Sequence, residues 1–236
     1  MQKNNPEKIA TLDMDATLVE TTKSEALFCY KGFRSYQPLN TWWAEQGVVV
    51  HTEFRDGNVP AGFDQLRVLT EALKCLPEGV EQVRLRSDTA GYQHDLLKYC
   101  DTGENERFGK IEMDWDGEEL IRWSYKRCGK SEEAHSVMKD DLAGGKLPSD
   151  DFGSNAASWW IMILSLNLNA AMKRLVLGKS WIPRRMKAIR FHLINLPARI
   201  MTRSPQLLVP ISNESYFEWF VALRERISAL GFVSSG

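Results

Sequence analysis

The spacing of apolar positions divides the chain into a front part with strand-like runs and a rear part with helical ones. Lys8 to Val19 (KIATLDMDATLV) is rich in apolar and β-branched residues and predicts a buried strand ending near its two aspartates. Gln37–Gln46 (QPLNTWWAEQ) and Gly47–Phe54 (GVVVHTEF) predict two more strands, with a hairpin turn at Glu45-Gln46-Gly47. Turn residues in Arg55–Pro60 close the third strand. Phe63, Leu66, Leu69 and Leu73 then recur at helical spacing until Pro77-Glu78-Gly79 stops the helix. Val80–Leu85 predicts a fourth strand, Tyr92–Cys100 a second helix and Phe108–Glu112 a short fifth strand. Beyond Asp116-Gly117 the pattern is helical: Glu118–Leu142, Asn155–Leu177, Pro183 to near Arg199, and Tyr216–Leu230.

Three strands in a meander followed by αβα units is the ordering of a ribonuclease-H-like fold. The expectation is an α/β core with a mixed sheet over residues 1–145 and a basic helical region over 146–236. Fold alone does not give function. An apolar fraction of 43% and a charged fraction of 26% are ordinary for a globular chain and exclude disorder as the main state. The formal net charge of -1 conceals an asymmetry. From Phe152 to Asn213 there is no Asp or Glu but nine Lys and Arg, which suits either a polyanionic partner or a solvated basic face. The four cysteines form no CxxC pair and read as reduced thiols of a cytoplasmic protein, and the N-terminal MQKNNPEK has no apolar targeting core. Ala156–Met172 lacks charge, yet it is shorter than the ~20 residues of a membrane span and is interrupted by Asn167 and Asn169, so it predicts a buried core helix.

Carboxylates fall where two strands should end, at Asp13 and Asp15 on the first and Asp88 on the fourth. Acids at neighbouring strand ends meet at one edge of a sheet, where they hold a cation or cap the following turn. Further along, Glu132, His135, Ser136 and Lys139 share one stripe of a helix. Taken alone, such a polar stripe predicts a solvent-exposed face.

The segment YKRCGKSEEAHSVMKDDLAGGKLPS resembles the Tyr–Arg–Glu–Lys signature of bacterial insertion-sequence transposases, Y-x2-R-x3-E-x6-K. Tyr125, Glu132 and Lys139 fit it, whereas Cys128 stands at the Arg position and Arg127 is one residue early. LDMDATLVE resembles the family's first-Asp strand, with Asp15 followed two residues later by Thr17, and LRSDTAGY resembles the second, giving Asp88. EFRDGNVPAG, SDTAGYQHDLL and RFHLINLPARI extend the likeness to group-1 DDE transposases through nearly the whole chain. Members usually carry an N-terminal helical DNA-binding region and a β-rich insertion between the second Asp and the Glu. Only 43 residues separate Asp88 from Glu132, so the expectation is a chain truncated at its start and lacking most of the insertion near 112–113.

The resemblance implies metal-dependent cleavage and strand transfer at transposon ends. Asp15, Asp88 and Glu132 would be the catalytic carboxylates, holding Mg²⁺ with Mn²⁺ as a substitute. Tyr125, Arg127 and Lys139 would contact double-stranded DNA beside the cleaved bond. Independently of the resemblance, the acid-free region supplies a DNA face in which Lys173, Arg174, Lys179, Arg184, Arg185, Lys187 and Arg190 would contact the backbone. A homodimer and association with bacterial DNA are part of the same expectation, with no role in a membrane. Two alternatives stay open: a catalytically inactive DNA-binding remnant, and a haloacid-dehalogenase-like phosphatase. The second would use LDMDATLV as a DxDxT motif, Asp13 as nucleophile and Asp15 as acid/base, with PSDDFGSNAA as its acidic metal loop.

Overall fold

A computed structural model of the chain describes residues 8–102, 116–126, 130–195, 201–203, 206–208 and 214–231. The predicted fifth strand at Phe108–Glu112, with Arg127 and Cys128, lies outside them. The protein is mixed α/β and consists of two compact units, 1–167 and 168–236.

In the first unit, β1 (Ile9–Ala16), β4 (Leu39–Trp43), β5 (Val48–Glu53) and β6 (Gln82–Ser87) form a four-stranded sheet of order β5-β4-β1-β6. The two-residue strands β2 (Val19–Glu20) and β3 (Ser35–Tyr36) pair separately, on an excursion between β1 and β4. β1 is antiparallel to β4 and parallel to β6, and β4 is antiparallel to β5 with a register shift between Thr41 and Trp42. The central strand β1 is buried from Ala10 to Met14, which is why its sequence reads as a nearly continuous apolar run.

Side chains alternate between the two faces of β1. Ala10, Leu12 and Met14 join a core with Leu39 and Trp43. Helices α1 (Gln65–Lys74) and α2 (His94–Thr102) close that core through Val68, Leu69, Leu73 and Leu96. A second core gathers Val19, Tyr36, Val49 and Phe54 beneath Trp159, Met162, Ile163 and Leu166 of α5 (Phe152–Met172). The first sixteen residues of α5 belong to the sheet unit for this reason, so the compact units divide later than the 145/146 boundary read from the sequence. Between α2 and α5 come α3 (Gly117–Tyr125) and α4 (Lys130–Ser136), the latter running into a π-helical turn at Val137–Asp141. The single helix expected over Glu118–Leu142 is therefore interrupted after Tyr125.

Polar side chains of α5 dock on β5. Trp159 Nε1 donates to Thr52 Oγ1 at 3.0 Å, and the Thr52 hydroxyl donates to Asn40 Oδ1 at 2.7 Å. Asn167 Oδ1 accepts the Val49 N–H at 2.9 Å while its Nδ2 donates to the Val49 carbonyl at 2.7 Å. The asparagine that interrupts the apolar run thus bonds to the edge strand as a neighbouring strand would. The helical stretch Phe152–Leu177 is long and apolar enough to cross a membrane by length and composition. It is not buried all round, as a core helix would be: Trp160, Ile161, Leu164 and Leu168 are exposed.

The second unit has its own small core of Val176, Leu177, Trp181, Ile189 and Leu223. After α6 (Met186–Ile189) comes a hairpin of β7 (Met201–Arg203) and β8 (Gln206–Leu208), then α7 (Glu214–Ala229). The expectation of an all-helical C-terminal region is corrected by this hairpin. Its three-residue strands are too short to imprint an alternation on the sequence. The three described cysteines, Cys29, Cys75 and Cys100, are free thiols, and burial pushes the Cys100 thiol up to about 11.

Candidate functional site

The parallel β1–β6 register places two of the expected carboxylates towards one end of the sheet. Met14 lies beside Ser87; the next residues are Asp15, still within β1, and Asp88, just past the end of β6. Asp15 is partly buried at the end of β1, whereas Asp88 is exposed where β6 turns into a short 3₁₀ segment. One Asp88 oxygen caps that segment by accepting the Ala90 N–H at 3.0 Å.

α4 and the π-helical turn lean on the same strand end. His135 Nδ1 is 3.9 Å from Asp15 Oδ2, and Lys139 Nζ donates to the Leu18 carbonyl at 2.8 Å. The stripe that predicts a solvent-exposed face is, at His135 and Lys139, half-buried against β1. Ser136 instead turns to its own helix and donates to Asp140 at 2.9 Å. Burial holds the Lys139 ammonium below its usual range; the charges of Asp140 and Asp15 oppose that shift, and that of Lys31 adds to it. The backbone of Glu132 sits one turn before His135, and its side chain lies outside the described set.

Thr17, Leu18, Asp88 and Lys139 line a cavity of about 710 Å³ at this end of the sheet. Its other walls are Ala16, Glu20, Gln37, the loop Gly57–Ala61, and Tyr30, Lys31 and Phe33 from the excursion between β2 and β3. Sequence reasoning missed these last residues. The buried Asn40 was missed too: it sits opposite Asp15 in the β1–β4 pair, and its Nδ2 has no hydrogen-bond partner. Tyr125, by contrast, is 67% exposed at the end of α3 and is absent from the cavity lining.

Asp13 is not part of this opening. It is 1% exposed, and its carboxylate takes two hydrogen bonds from Arg86, at 2.5 and 2.8 Å. Arg86 also donates to the Trp123 carbonyl at 2.9 Å and lies over the Trp123 ring, which fastens α3 to β6. A nucleophile must reach its substrate, and Asp13 is closed off on all sides. The acids of PSDDFGSNAA have structural duties as well: Asp151 caps α5 through Ser154, and Asp150 accepts the Ser24 N–H at 3.1 Å.

Among the described residues no three His, Cys, Asp or Glu side chains are grouped to hold a metal ion. Asp15, near the end of β1, and Asp88, just past β6 and in the cavity lining, nevertheless fit a hard divalent cation in kind, since both offer carboxylate oxygens.

In the second unit Arg184, Lys187, Arg190 and Lys179 are exposed, while Lys173, Arg174 and Arg185 are partly buried. Lys173 Nζ is bonded to the Arg184 carbonyl and Arg184 lies 4.5 Å over the Trp181 ring, so both also serve this unit's fold. Comparison with protein-family models, curated proteins and solved structures finds no match.

Proposed function

We propose that the chain is the catalytic part of a DNA transposase of the bacterial DDE type, built on a ribonuclease-H-like core. The observation that carries this reading is the placement of Asp15 near the end of β1 and Asp88 just past the end of the parallel β6, with Asp88 and Lys139 lining one cavity. The strand order, with antiparallel β4 and β5 on one side of β1 and parallel β6 on the other, supports the fold assignment.

Asp15 and Asp88 would hold Mg²⁺, or Mn²⁺ in its place, with Glu132 of α4 as the third carboxylate. When bound, the metal supplies an activated attacking oxygen and charge stabilisation on the leaving oxygen of a phosphodiester. His135 approaches the Asp15 carboxylate at 3.9 Å, and Asn40 sits opposite Asp15 in the strand pair. Lys139 is a point charge for the phosphate, placed by its bond to Leu18. Tyr125 and Arg127 take DNA contacts by resemblance to the family signature. The exposed cations Lys179, Arg184, Lys187 and Arg190, with Lys173, Arg174 and Arg185, offer a face for double-stranded DNA whose binding weakens with salt.

The test is nicking of supercoiled plasmid in Mg²⁺ or Mn²⁺ by the full chain and by Asp88→Asn. That substitution keeps an oxygen for the Ala90 cap and removes the charge. Loss of nicking supports the reading, and undiminished nicking sinks it. Binding of DNA with no cleavage in either metal identifies an inactive remnant.

A further inference from the structure

The excursion between β2 and β3 is a braced hairpin whose tip faces the cavity. Cys29 N–H donates to the Phe33 carbonyl and Gly32 N–H to the Cys29 carbonyl, both at 2.9 Å, with Gly32 at φ 83°. This is a three-residue hairpin loop, Tyr30-Lys31-Gly32, in which the positive φ falls on the residue that tolerates it. Below the tip, Arg34 Nη1 donates to the Ser24 and Ala26 carbonyls, each at 2.6 Å, and its guanidinium stacks 4.9 Å over Phe28. Gly57 presses against the base of the hairpin: a Cβ there would meet the Ser35 carbonyl at 2.4 Å and that of Leu27 at 2.8 Å. The tip is held from several directions and has little freedom to retract.

It presents an aromatic and a cation. Tyr30 is 79% exposed, Lys31 is exposed with its ammonium 5.7 Å over the Tyr30 ring, and both line the cavity with Asp88 and Lys139. A single exposed aromatic is ordinary. An aromatic paired with a lysine on a rigid tip, beside a cavity with Lys139 on its wall, has the composition of a site for a nucleic-acid strand. Of the cavity's charged residues, Lys31 and Lys139 are the cations and Glu20 and Asp88 the acids, so the attraction for a phosphate is local to the lysine at the tip. The ring needs an accessible base face, and bases within a duplex are stacked on each other.

We infer that this hairpin tip is a clamp for an unpaired DNA nucleotide, with Tyr30 stacking on the base and Lys31 holding the adjacent phosphate beside Asp88. The nucleic-acid class of the ligand rests on the function proposed above; the clamp itself is tested without metal. Anisotropy of a short fluorescein-labelled single strand, and of a blunt duplex of the same sequence, is measured in EDTA with the full chain. Tyr30→Ala is expected to weaken single-strand binding by roughly 5- to 150-fold and to change duplex binding less than about twofold, while Tyr30→Phe retains affinity. Lys31→Gln should flatten the log–log salt dependence on the single strand by about 0.7. The clamp is overturned if the wild-type chain does not bind the single strand, if Tyr30→Ala stays within about twofold of it, or if both DNAs lose affinity equally. Because EDTA removes the metal, absent nicking with an intact Tyr30 effect defeats only the catalytic reading. Nicking with no Tyr30 effect defeats only the clamp.

Discussion

Arg86 grips Asp13 with two hydrogen bonds across the parallel β1–β6 pair, and both side chains are buried. This is a forked, charge-assisted contact, and removing one side leaves the other charge without compensation in the interior. Arg86→Met is expected to cost about 3–5 kcal/mol in urea unfolding. The double variant Asp13→Leu/Arg86→Met should recover much of that loss. A single variant as stable as the parent would show that the pair does not hold the two strands. Phosphatase activity on p-nitrophenyl phosphate is expected to be absent, since the aspartate it requires is sealed in this pair.

Lys139 offers a titration that reads the neighbourhood of the site. Burial holds its ammonium low, Asp140 and Asp15 oppose the shift, and Lys31 reinforces it. Asp15→Asn should therefore move the Lys139 titration to lower pH and Lys31→Ala to higher pH, followed by ¹⁵N NMR of the side chain. No movement in Asp15→Asn would mean that the lysine does not sense the carboxylate at the end of β1.

Thr52 stands between Trp159 and Asn40, accepting from one and donating to the other. Thr52→Val strands a buried indole N–H and a buried amide oxygen, at about 1–3 kcal/mol for each group left unpaired. Trp159→Phe opens a cavity in either background, but it should cost less in Thr52→Val than in the parent, because there it also removes the orphaned donor. Equal costs in the two backgrounds would remove the indole contact from the account.

Glu53 links stability to acid. Burial alone would raise its carboxyl, but the hydrogen bond from Arg67 and the charge and hydrogen bond of Arg55 outweigh it and leave the group below its usual range. A carboxylate lowered in the native state contributes stability above its unfolded pKa of about 4.3 and loses that contribution as pH falls towards the native value. Urea midpoints should accordingly decline below about pH 4.3, and the decline should be shallower in Glu53→Gln. An identical slope in both proteins would discount this group.

What the sequence made legible follows from how far each element is constrained by burial. β1, β5 and α1 were readable because their apolar spacing is imposed by the two cores they face. The positions of Asp15 and Asp88 were readable for the same reason, since strand ends follow from strands. Residues 21–34 gave no periodic signal. Their order comes from Arg34 gripping two carbonyls and from Asp150, 126 residues from the Ser24 amide it accepts. Nothing local says which loop returns to the end of β1, so Tyr30 and Lys31 stayed invisible. The stripe of His135 and Lys139 was legible as a pattern but not as a contact, because polar residues packed against the end of a strand look in sequence like residues facing water.

Asn167 gives the sheet a stopping rule. By satisfying both backbone groups of Val49, it occupies the place that an incoming chain would need in order to extend the β5 edge there. The asparagine that interrupts the apolar run of α5 therefore also discourages self-association through that edge. A leucine at this position would leave a longer apolar helix beside an uncovered strand edge, and aggregation would be the natural outcome.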